Sequence, residues 1–75
     1  MSLKSELVKE IQMLEDEIKE LETKRIRSMA ALMEAMIAKR EIGEDEARFF
    51  RTYTAEIDIK REKLSKLKRR LDRIQ

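Results

Sequence analysis

The sequence predicts an all-α protein: an antiparallel two-helix hairpin of the coiled-coil type that dimerises into a four-helix bundle. Three observations carry this reading. The 75 residues contain no Pro and one Gly, so the chain is punctuated once. Apolar residues recur at 3-4 spacing on both sides of that Gly, the period of helices that bury one stripe. A single fold point also aligns the two stripes along their length. The expected organisation is one domain over residues 1–75, with helices at 3–41 and 45–74 and a turn at 42–44.

The first helix is dense in Glu, Lys, Leu, Met and Ala, all strong helix formers. Leu7, Ile11, Leu14, Ile18 and Leu21 form a narrow heptad seam, and Arg25 occupies its next position. Beyond Arg25 the apolar face widens. Met29, Leu32 and Met36 continue it, while Ile26, Met33 and Ile37 add a stripe to one side. A narrow seam suits one neighbouring helix, whereas a wide one calls for two or more.

The turn is expected at Ile42-Gly43, with Gly43 in the left-handed conformation that ends helices. Lys39 and Arg40 precede it, where the negative end of a helix dipole favours cations. Glu44, Asp45 and Glu46 follow it, where the positive end of the next favours anions.

In the second helix Phe50, Tyr53, Ile57, Leu64, Leu67, Leu71 and Ile74 share a face, interrupted at Lys60. Folding at Gly43 sets residues whose numbers total 85 opposite each other: Ile11 with Ile74, Leu14 with Leu71, Ile18 with Leu67, Leu21 with Leu64. Arg25 and Lys60 then meet as a polar layer of the kind that sets register. Charge follows the same alignment. Residues 1–24 carry four bases and seven acids, and residues 60–75 carry eight bases and two acids. The expected flanking pairs are Glu22 with Lys63, Glu15 with Arg70 and Glu17 with Lys68.

This register leaves Leu3, Leu7 and Val8 without partners inside the chain. Ile26, Met29, Met33, Ile37, Phe49 and Ile59 are left beside or beyond the seam, and they are the expected dimer interface. A lone hairpin of this size buries little, and a two-fold pairing covers the remainder.

Function classes narrow by composition. The chain has no Cys and no His, which removes disulfides, thiol nucleophiles, ordinary zinc sites and the commonest general base. No catalytic residue, metal set or cofactor is expected, because a two-helix hairpin supplies no concave site to shift a carboxylate's pKa. The run Ser28–Ala38 contains Glu34 and is too short to span a bilayer, and Met1–Glu6 does not resemble a signal peptide. A cytoplasmic protein with no membrane association is therefore expected. The function read from these features is a non-enzymatic, self-associating interaction scaffold or adaptor, homodimeric and open to an unknown protein partner. The alternative is a small nucleic-acid-binding regulator of the plasmid or phage type. It would use the basic face of the second helix, with Lys66, Arg69, Arg70 and Arg73 as phosphate contacts.

Overall fold

A computed structural model describes residues 2–75 and shows two helices packed against each other, with no strand among those residues. Helix α1 spans Leu3–Ile37 and α2 spans Glu44–Ile74. The molecule measures 55 × 15 × 14 Å. At about 1.5 Å per residue α1 alone accounts for its length. Among the described residues no helix is long and apolar enough to cross a membrane.

Local chemistry sets each helix end. At the start of α1 the Ser2 hydroxyl accepts a hydrogen bond from the Ser5 amide at 3.1 Å, which satisfies one of the amides a helix start leaves unpaired. The end of α1 differs from the sequence expectation. The helix stops at Ile37, four residues short of Glu41. Lys39 adopts φ 56°. Its amide donates to the Met36 carbonyl at 3.1 Å, and the Arg40 amide donates to the Ala35 carbonyl at 2.8 Å. These two bonds around a left-handed residue are a Schellman termination, built here on a lysine. Gly43 is not left-handed. It is the extended N-cap of α2, with φ −66° and ψ 148°.

Lys39 and Arg40 consequently lie beyond α1 rather than in its last turn. Arg40 bridges the connection, donating to Glu46 at 3.2 Å. The acids expected at the start of α2 are in place: Glu44, Asp45 and Glu46 occupy its first turn, where the helix dipole favours them.

Moving the turn slides the register. Ile37 and Glu44 bound the connection, so facing numbers total about 81 instead of 85, a displacement of roughly one helical turn. Leu14 is now level with Leu67, Ile18 with Leu64 and Ile11 with Leu71. Leu7 is 3% exposed and belongs to the core against which Leu71 of α2 packs, which corrects the expectation that it lacks a partner, while Ile74 stays 44% exposed. Arg25 is level with Ile57 and Lys60 with Leu21, so the two cations do not meet.

The core is off centre. Leu7, Ile11, Leu14, Ile18 and Leu21 pack with Ile57 and Leu67, backed by Tyr53, Leu64 and Leu71. Most of it lies toward the chain ends and the middle, and Ile57, which is fully buried, with Tyr53 carries it into the turn half of α2. Nearer the turn Ala35 is the one buried apolar residue of α1. Of the seam positions there, Arg25, Ser28 and Ala35 are small or polar and Leu32 is only half-buried, so less apolar surface is buried between the helices.

Candidate interaction surface

Two ion pairs cross between the helices. The Lys60 ammonium donates to Glu17 at 2.9 Å, and Arg61 pairs with Glu22 at 3.3 Å. Glu17 and Glu22 were expected to pair with Lys68 and Lys63. Their actual partners lie nearer the turn along the chain, as the slid register requires. Glu15 and Arg70 form no ion pair among the described residues.

The hydrogen bond from Lys60 holds the Glu17 carboxyl below its ordinary range, helped by the charge of the same ammonium. The hydrogen bond to Glu17 raises Lys60 in turn. Because the Glu17 value is lowered in the folded chain, its contribution is complete above about pH 4.5 and is lost as acid protonates it. Because the Lys60 value is raised, its contribution is complete below about pH 10.5 and is lost in stronger alkali. Both groups face solvent, so the pair counts for register more than for stability.

Glu17 and Glu22 stand on opposite sides of the buried stripe of α1. At 100° per residue, Glu22, Ile26, Met29, Met33 and Met36 fall within an arc of about 80° on one side. Glu10, Met13, Glu17, Glu20, Lys24 and Arg27 fall within about 100° on the other. This divides the six expected interface residues. All six are exposed, from 44% at Met29 to 81% at Ile37. Ile26, Met29 and Met33 lie on the Glu22 flank, and Met36, 67% exposed, extends their stripe toward the turn. Phe49 and Ile59 line hollows on the Glu17 flank, and Ile37 is the last residue of α1.

The Glu17 flank is furrowed. A hollow of about 390 Å³ is lined by Glu10, Met13, Glu17, Ile59, Lys60 and Lys63, among others. The next one toward the turn shares Glu17 and Lys60 and adds Glu20, Lys24 and Glu56. A third shares Lys24 and adds Arg27, Ala31, Phe49 and Tyr53. Met13, 56% exposed, was not singled out by sequence because it lies off the seam. Its position one turn before Glu17 on the same flank was the available signal.

The polar seam residues separate in role. Arg25 is half-buried and forms no ion pair among the described residues, whereas Lys60 reaches across to Glu17. The four expected phosphate contacts converge: Lys66, Arg69, Arg70 and Arg73 surround one hollow of about 220 Å³. Lys66 also approaches Glu62 at 3.8 Å, while the three arginines have no ion-pair partner among the described residues. No three carboxylates gather into a metal-binding group among those residues. The chain matches no protein-family model, no curated protein and no solved structure.

Proposed function

We infer that this chain is a non-enzymatic helical hairpin that self-associates and serves as a protein–protein interaction scaffold, with two copies forming a four-helix bundle. The observation that carries this is the Glu22 flank. Ile26, Met29, Met33 and Met36 form a continuous exposed apolar stripe on α1 over the half of the hairpin where the intramolecular core is thinnest. Fully burying each such side chain is worth on the order of 1.5–3 kcal/mol, enough over two copies to exceed the cost of association. Three methionines give the surface the adaptability that partner-binding faces use. Met29→Glu with Met33→Glu tests the reading, because both sites are exposed and the hairpin's own core is untouched. At about 500 mM salt, where surface charge is screened, the wild-type chain is expected to sediment as a dimer at micromolar concentration and the double variant as a helical monomer. A wild-type monomer would overturn the reading.

The convergence of Lys66, Arg69, Arg70 and Arg73 favours a second reading, nucleic-acid binding through phosphates. It requires binding to mixed-sequence DNA or RNA that falls steeply with salt, by about 0.7–0.9 in log K per phosphate contact and per log unit of salt. Absence of binding at low salt removes it.

A further inference from the structure

The Glu17 flank carries a charge pattern that fits its own copy. Its hollows adjoin through shared residues, so they make one groove along much of the hairpin. Glu17 with Lys60 and Glu20 with Lys24 neutralise the middle of this groove. Four lining charges remain that form no ion pair among the described residues, one in each quadrant. Toward the chain ends α1 presents Glu10 and α2 presents Lys63. Toward the turn α1 presents Arg27 and α2 presents Glu56. Signs therefore alternate both along and across the groove.

We propose that a second copy of this chain docks on this groove antiparallel, the turn of each hairpin lying over the chain ends of the other. The proposal rests on the self-association reading and adds to it a second, electrostatically directed face. A two-fold axis crossing both helices carries Glu10 onto Arg27 of the second copy and Lys63 onto its Glu56. On α1 the midpoint between Glu10 and Arg27 falls between Ile18 and Lys19. On α2 the midpoint between Glu56 and Lys63 falls between Ile59 and Lys60, level with residues 21 and 22 of α1. The two positions agree to about three residues, or roughly 4–5 Å, which long side chains span. They bracket residue 20, the middle of α1, so the copies overlap along their full length. With the turns at the same end, Glu10 would instead lie level with Leu71, eight residues or roughly 12 Å from Lys63. Ile59, 68% exposed, stands near the axis and meets its own counterpart, and Met13 falls over the second copy's Lys24. Because the apolar stripe occupies the opposite flank, the two faces together build assemblies larger than a dimer.

Sedimentation across salt tests this. Surface pairs weaken with ionic strength while apolar contact persists. The wild-type chain is expected to form species beyond the dimer at about 20 mM salt and to return to the dimer at about 500 mM. Arg27→Glu should weaken the larger species roughly tenfold or more, and Glu10→Arg added to Arg27→Glu should restore them, because the swap re-creates both symmetric pairs. A dimer that never grows at low salt, or a swap that fails to rescue, overturns the groove proposal and leaves the apolar dimer standing. Low-salt association that Arg27→Glu abolishes, with a monomer at high salt, supports the groove and overturns the apolar dimer. A monomer at every salt concentration overturns both.

Discussion

Lys39 holds a left-handed backbone at φ 56°, a conformation that costs a residue with a Cβ roughly 1–2 kcal/mol. Four positions later Gly43 spends its conformational freedom on nothing, since its φ of −66° suits any residue and a Cβ there would meet only the Glu46 Cγ at 4.0 Å. The two residues are exchanged relative to their intrinsic preferences. Lys39→Gly should therefore stabilise the chain by about 0.5–1 kcal/mol, after allowing for the added freedom of the unfolded state. Gly43→Ser should add about 0.3 kcal/mol by supplying the side-chain cap that α2 lacks. Denaturant midpoints of the two variants check both. A loss of stability in Lys39→Gly would show that the Schellman termination is not what ends α1.

Within the helices, the 3-4 seams from Leu7 to Leu21 and from Ile57 to Leu71 were legible because their period belongs to one structure only. The register was not. A 3-4 stripe slid by one turn still sets apolar on apolar: Leu14 meets Leu67 as well as Leu71, and Ile18 meets Leu64 as well as Leu67. Composition pointed to Gly43 as the stop, while a lysine in a Schellman motif leaves no mark in a sequence. The slid register is the better one physically. It buries Leu7, keeps Arg25 away from Lys60, and lets Lys60 reach Glu17. The exposed apolar and basic residues were likewise legible by spacing, but their division between two flanks depends on where the opposing helix lies.

The two seam cations now make separate predictions. Arg25→Leu should raise stability by about 1 kcal/mol, since it adds half-buried apolar surface level with Ile57 and strands no partner. Lys60→Leu should gain less, because it removes the Glu17 pair, and it should return the Glu17 carboxyl to its ordinary range. Chemical denaturation and a carboxylate titration by NMR measure these. A lower midpoint for Arg25→Leu would mean that its guanidinium has a stabilising role in the seam.

Across the whole molecule, stability and surface chemistry are segregated. The chain-end half holds most of the buried core and the strongest charge, and the turn half holds the apolar stripe. A rod of 55 × 15 × 14 Å has a large surface for its volume, and the turn half of this one buries fewer apolar residues within a single copy. Under the self-association we propose, a second copy would complete this packing, and the two flanks would give that association different dependences on salt.

The placement of the core at the chain ends also has a mechanical consequence. If tension separates the first and last residues, the load falls first on the layers around Leu7 and Leu71, close to the opening end, and then on Leu14 with Leu67. The layers behind them, toward Ala35, hold fewer buried apolar residues. A zipper whose firmest teeth sit at the pulled end resists until those teeth fail and then parts in one event, at a force set by the rate of opening rather than by the equilibrium. Pulled in this direction, the hairpin is brittle: a clasp that stays shut or comes fully undone, with little elastic give between the two.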